Sequence, residues 1–227
     1  MPTRKAPVMT DRADDTQGSI ATNGTLKDAS PTMTMGRIEV PRINIQEMEL
    51  VLIGDSPLIC HRWSEKAKQQ MLDKQMKRAT EGKAAKDPQK DYEDSLYPHP
   101  DGGYGFPCIA FKNAGVSACR FTDGLKMTEA RGAFHVIGEM VQIEGTPSMR
   151  EDTVKIAMGT ADIRYRAEFK TWRVRLRIQY NIAVFSASQI CNLFNLAGFG
   201  VGIGEWRPER DGSYGRFHVA EHEEGNE

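Results

Sequence analysis

An α+β fold built on an antiparallel sheet is what this sequence predicts, and three observations carry that expectation. DIRYRAEFKTWRVRLRIQYNIAVF, residues 162–185, alternates apolar and polar positions along most of its length, the period of strands that bury one face. At Ser186 the pattern changes to a capped helix: Ser186 and Gln189 form a capping-box pair ahead of the apolar Ile190, Leu193, Phe194, Leu196 and Ala197. Upstream, the same change from strand period to helix period occurs twice, near residues 54–64 and 106–110.

Residues 1–36 are rich in Thr, Asp, Ser, Ala and Gly and carry almost no periodic apolar residues. They predict a disordered arm, because they bury too little surface to offset the entropy of ordering. INIQEMELVLIG, residues 43–54, alternates as a half-buried strand and stops at Gly54. Ser64 then caps a helix to about Arg78, with a thin apolar stripe at Ala67, Met71 and Met76. From Arg62 to Lys90 there are nine Lys or Arg against four acids, which reads either as a solvated face or as the wall of a nucleic-acid groove.

Residues 91–105 have the Pro, Asp and Gly content of a loop, within an insertion near 79–105 of a domain spanning 37–220. FPCIAFKNAGVSACRF, residues 106–121, predicts a short strand entering a helix whose Ala110, Ala114, Gly115 and Ala118 permit close packing. Residues 133–144 and 152–158 read as further strands, and 214–219 as the last, ahead of an acidic tail at 221–227.

The alternating stretch predicts a hairpin with its turn at Lys170 and Thr171. Ile163, Tyr165, Ala167, Phe169, Trp172, Val174, Leu176, Ile178 and Tyr180 form its apolar face. That register sets Arg166 opposite Arg175 and Arg164 opposite Arg177, and like charges directly opposite cost a few tenths to about 1 kcal/mol per pair. A bound polyanion would relieve the repulsion. Acids on neighbouring strands are the alternative, although within the hairpin only Glu168 is placed to help.

A chain of 227 residues suffices for one well-filled domain. Its net charge of -1 means that any polyanion site must come from segregated charge. Cys60, Cys108, Cys119 and Cys191 lack C-x-x-C spacing, and Cys60 and His61 have no second ligand pair at helical or turn spacing, so no metal is expected. No apolar run has the length of a membrane span, and the expected setting is cytoplasmic.

GFGVGIGEWRPERDGSYGRFHV, residues 198–219, is the most unusual stretch. Gly198 is expected to close the helix; Gly200, Gly202 and Gly204 follow at alternate positions, with Arg207, Arg210 and Arg216 among or beyond them. Exposed backbone N–H groups beside arginines suit a phosphate backbone, and a merely flexible loop is the competing reading. Neither G-x-G-x-x-G nor G-x-x-x-x-G-K-[ST] occurs, so no nucleotide cofactor is expected. Trp206 either stacks on a base or folds back over the sheet.

The order of strands and helices is the split β-α-β layout of ferredoxin-like, RRM-like domains. The motifs also resemble those of the RAMP superfamily, which includes backbone subunits and guide-processing ribonucleases of CRISPR systems. The likeness lies in the first strand running into DSPLI, in GFPCIAFKNAGVSACR with Pro107, Lys112 and Arg120, and in GIGEWRPERDGSYGRF with Gly202, Gly204, Gly212, Gly215 and Arg216. It implies a non-catalytic protein that binds single-stranded RNA or DNA and assembles along the strand as an oligomer. The residues implicated by resemblance or by charge are Lys112, Arg120, Arg164, Arg166, Arg175, Arg177, Gly202, Gly204, Trp206, Arg207 and Arg216. Two alternatives stand beside this: an RNA endonuclease using His61, and an assembly protein of a mobile element whose basic hairpin meets an acidic protein.

Overall fold

The computed structural model describes residues 40, 42–78, 85–155 and 161–221. The unit formed by Met1–Pro41, which contains the expected arm, lies outside these residues except for Val40, as does the tail beyond Glu221.

Alternation along β1 (Ile45–Gly54) turns Leu50 and Leu52 inward and leaves Glu47 and Glu49 exposed. β8 (Arg173–Asn181) does the same with Val174, Leu176, Ile178 and Tyr180, and the two strands pair antiparallel from Ile45↔Asn181 to Ile53↔Arg173. Around them run β9 (Phe217–Val219), antiparallel to β1, and β4 (Phe134–Val136) and β5 (Met140–Glu144), both antiparallel to β8. β3 (Gly105–Pro107) extends the sheet beyond β5. Counting β4 and β5 as one interrupted strand, the order last, first, third, second is that of the ferredoxin-like fold.

Two helices cover the apolar face. α3 (Cys108–Ala118) buries Phe111, Ala114, Gly115, Val116 and Ala118. α5 (Ala187–Gly200) is opened by the predicted capping box and buries Ile190, Leu193, Phe194 and Ala197. Each large apolar side chain so buried stabilises by about 1.5–3 kcal/mol. α5 continues through Gly198 to Gly200, contrary to expectation, because Gly198 is a packing position. A Cβ there would lie 1.7 Å from the Phe217 carbonyl oxygen.

The expected hairpin is corrected by the structure. β7 (Ala161–Phe169) and β8 do not pair; β7 lies between β2 (Leu58–Cys60) and β6 (Pro147–Lys155) in a separate three-stranded sheet. The connection is held by Trp172, which is buried and donates from Nε1 to the Ser56 carbonyl at 2.8 Å. Arg166 therefore faces Arg150, and Arg164 faces Asp152, while Arg175 and Arg177 face Val51 and Glu49.

Three further α-helices lie among the described residues. α1 (Glu65–Gln75) is capped by Ser64 as predicted but buries no residue. α2 (Pro88–Ser95) falls partly in the expected loop; Asp87 caps it with Pro88 in the first turn. α4 (Met127–Ala133) leads into β4.

Candidate nucleic-acid interface

The smaller sheet carries a face of ionic side chains at Arg150 and Asp152 on β6 and at Arg164, Arg166 and Glu168 on β7. Arg150 organises it. Its guanidinium donates to Asp152 Oδ1 (2.8 Å), to Glu168 Oε1 (2.7 Å) and to the Tyr214 hydroxyl (3.1 Å), and stacks over that ring at 4.7 Å. The like-charge pair Arg150↔Arg166 is tolerated because carboxylates are interleaved with it.

Arg166 is only 3% exposed, and its Nε and Nη1 have no hydrogen-bond partner among the described residues. Nη1 lies 3.6 Å from Asp152 Oδ2, close enough for an ion pair but not for a hydrogen bond, and that oxygen is also without a hydrogen bond. Burial lowers the Arg166 pKa, opposed by the charges of Glu205 and Asp152. Buried donors left unmatched cost on the order of 1–3 kcal/mol each, so such an arginine calls for a functional explanation.

His61 follows β2 directly, and its Nδ1 is 2.8 Å from Glu205 Oε1. That contact lowers the Glu205 pKa against the opposing effect of burial, with Arg166 and Arg164 adding to it. Glu205 is delivered by the glycine-rich loop, which is stitched to β2. The N–H groups of Glu205 and Gly215 donate to the Ile59 and Pro57 carbonyls (3.0 and 2.8 Å), and Ile203 N–H donates to the Gly215 carbonyl at 3.0 Å. Gly204 has φ 76°, and a Cβ on it would meet the Ile59 carbonyl at 2.6 Å. Gly202 N–H donates to Ala197. These amides therefore serve the fold, and the open phosphate cradle expected from the glycines is not formed by them.

The loop instead presents side chains. Trp206 has φ 55°, a left-handed conformation that is strained for a bulky residue, and its side chain is substantially exposed. Trp63, two residues beyond His61, is exposed as well. Arg207 donates to Glu209 (2.9 and 3.1 Å) and to the Gly204 carbonyl, and Arg120 reaches the other Glu209 oxygen at 2.7 Å. The two arginines share one carboxylate and brace α3 against the loop. Arg216 has its Nε buried without a hydrogen-bond partner among the described residues.

Two grooves meet at His61, which lines both, while Glu205 lines the smaller one. The larger, about 820 Å³, runs between α1 and β7 and is lined by Arg62, Trp63, Lys74, Lys86, Arg164 and Arg166 among others. Lys86 hydrogen-bonds the Ile163 carbonyl and pairs with Asp162, fixing one end of it. The smaller, about 340 Å³, lies between α3 and the glycine loop, with Ile109, Asn113 and Ser117 on one wall and Gly202 and Arg207 on the other.

Three predicted residues sit elsewhere. Lys112 leans to β4, 2.9 Å from His135 Nδ1. Arg175 is held by Glu144 (3.1 Å) and Glu49 (3.8 Å), and Arg177 by Glu47 (3.4 Å), on the exposed face of the large sheet. Glu205, Arg150 and Asp152 were not singled out from the sequence. The signal for Arg150 and Asp152 was ionic residues at alternate positions of a strand, which gives a face but no partner; Glu205 stands in the glycine-rich loop, where no such pattern marks it.

Cys60, buried behind His61, has its thiol pushed up to about 12 by burial and is an inert packing group. Among the described residues no group of three or more His, Cys, Asp or Glu is placed to hold a metal ion, and no helix is long and apolar enough to cross a membrane.

No protein-family model and no curated protein sequence matches this chain. Among solved structures it is similar to Cmr6 from Pyrococcus furiosus, at 8% identity and a TM-score of 0.42 over 79% of this chain and 100% of that one. It is also similar to a chain in the Type III-B Cmr-beta complex bound to cognate target RNA, at 12% identity and a TM-score of 0.45 over 76% of this chain and 59% of that one. The strand order observed here is by itself ferredoxin-like, the layout read from the sequence.

Proposed function

We propose that this chain binds single-stranded nucleic acid, RNA or DNA, along the groove between α1 and β7. The observation that carries this reading is the lining of that groove, where Arg62, Lys74, Lys86, Arg164 and Arg166 outnumber Asp91, Asp94 and Asp162. A phosphate backbone supplies acceptors for these side chains, and Arg62, Lys74 and Arg164 line its path. Trp63, two residues beyond His61, and Trp206, next to Glu205, are both exposed and offer stacking surfaces worth about 1–3 kcal/mol per base.

Anisotropy titrations of labelled single-stranded RNA, single-stranded DNA and duplex over a range of salt test the proposal. Arg164→Ala is expected to weaken single-strand binding several-fold and to reduce the salt slope by about one phosphate contact, whereas Arg177→Ala leaves both unchanged. Equal effects of the two substitutions, or preference for duplex, would overturn the groove assignment. Quenching of Trp63 and Trp206 fluorescence on titration checks the stacking independently.

A second reading is favoured by one contact. The Glu205 carboxylate at His61 Nδ1 can fix the imidazole tautomer and leave Nε2 to act as a base. In an RNA endonuclease of this kind His61 would take the proton of a 2′-hydroxyl as that oxygen attacks the adjacent phosphorus and the P–O5′ bond breaks, giving a 2′,3′-cyclic phosphate and a 5′-hydroxyl whose proton comes from water. Cleavage of end-labelled RNA that stops in His61→Ala and on 2′-deoxy substrate is its expected signature; intact RNA with the wild-type chain overturns it.

A further inference from the structure

The two outer edges of the smaller sheet differ. β2 has its free side closed by the glycine-rich loop, whose Glu205 N–H donates to the Ile59 carbonyl. β6 ends the sheet on the other side, and among the described residues the backbone from Pro147 to Lys155 pairs with β7 alone. An edge strand of this length presents a row of outward N–H and C=O groups, which is a template for another strand.

The charges of β6 and β7 are divided in the same way. On the face that carries Arg150, each ionic side chain, Asp152, Asp162, Arg164, Arg166 and Glu168 included, enters an ion pair within the chain. On the opposite face Glu151 and Lys155 are exposed and enter no ion pair among the described residues; Glu151 has the Tyr165 hydroxyl as a hydrogen-bond partner. Thr153 stands exposed between them, with Ile163 beside it on β7, 42% exposed.

Lone charges on an edge can serve to repel other strands. Here their spacing also matches itself. Side chains opposite one another in a sheet lie on one face, so two copies joined antiparallel through this edge are related by a two-fold axis normal to the sheet, beside one residue that meets its own copy. Centring on Arg150, Glu151 or Asp152 sets a like charge against itself, which is destabilising. Centring on Thr153 sets Glu151 opposite Lys155 of the second copy and Lys155 opposite its Glu151, with the two threonines at the axis and Asp152 facing only Val154. Both unpaired charges then find partners, between the exposed Ile163 side chains of the two copies.

We propose that β6 is a docking edge for a second copy of this chain, paired antiparallel in the register centred on Thr153 to form one continuous sheet. The contact is the same patch on both copies and closes at two, which distinguishes it from head-to-tail assembly along a strand. Its small extent predicts a reversible dimer.

Sedimentation of the full chain over a range of concentrations is the test. The wild type is expected to shift from monomer to dimer as concentration rises. Glu151→Lys and Lys155→Glu each set like charges at both pairs and should weaken association at least about 10-fold, with melting temperatures unchanged because both positions are exposed. An equimolar mixture of the two variants should dimerise as the wild type does, since each supplies the charge that the other lacks. A wild type that stays monomeric throughout, single variants that dimerise like it, or a mixture that stays monomeric would overturn the proposal.

Discussion

Arg166 on β7 and Arg177 on β8 come from one continuous alternating segment and have opposite fates. The Arg177 side chain is 64% exposed, on the outer face of the large sheet, and meets Glu47 of the neighbouring β1 at 3.4 Å. Water and a solvated acid satisfy it, and an ion pair of that kind is worth about 0–1 kcal/mol. The Arg166 side chain is 4% exposed, and Asp152, the acid paired with it, is not hydrogen-bonded to it. Both strands carry their arginines at alternate positions, Arg164 and Arg166 on β7 and Arg173, Arg175 and Arg177 on β8. What differs is which strand lies alongside, and whether another element closes over the face.

The largest expected effect lies at Arg150, which holds the buried row together. Arg150→Ala leaves Asp152 and Glu168 facing each other without their shared cation and should cost about 2–3 kcal/mol, a value reduced from the fully buried case because Arg150 is partly exposed. Arg175→Ala, in the exposed row, should cost less than about 1 kcal/mol. Thermal or denaturant unfolding of both variants measures the contrast, and equal losses would remove the distinction between the rows.

Gly204→Ala comes next. Its positive φ and the 2.6 Å approach of a new Cβ to Ile59 predict a loss of about 1–3 kcal/mol. Affinity per folded molecule should be kept, since the amides of Gly202, Ile203 and Glu205 around it are engaged within the fold. A fall in affinity without a fall in melting temperature would restore the phosphate cradle read from the glycines.

The smallest effect is on pH dependence. His61 depresses the Glu205 pKa, so Glu205 contributes stability that is present above its unfolded value, near 4.5, and lost as pH falls through the lower folded value. His61→Ala should flatten that acid limb of the stability profile. An identical limb in both proteins would show that the pair is not formed in solution.

Much of the architecture was legible because it depends on local rules. Alternation in β1, the Ser186–Gln189 capping box and the small residues of α3 each state a face or a terminus, and each is found where the sequence puts it. α2 was missed because Tyr92 is its only large apolar residue; it is held by its Asp87 cap and by Ser95, whose Oγ accepts the Ala167 N–H of β7 at 2.8 Å. Of the side chains that the structure gathers around the two grooves, the sequence had singled out His61, Arg164 and Arg166 by charge or by their place after a strand, but not Glu205, Arg150 or Asp152.

The sequence by itself determined which residues face inward, where α1 and α5 begin, and that positive charge concentrates along residues 164–177 and near α1. Only the tertiary structure decided that β7 leaves β8 for a second sheet, that the glycines serve a closure on β2, and that one arginine row is neutralised while the other keeps donors unmatched. The reason is physical. Periodicity encodes the orientation of a side chain relative to its own backbone, whereas pairing and desolvation depend on residues far away in sequence, whose approach is selected by the packing of the whole domain.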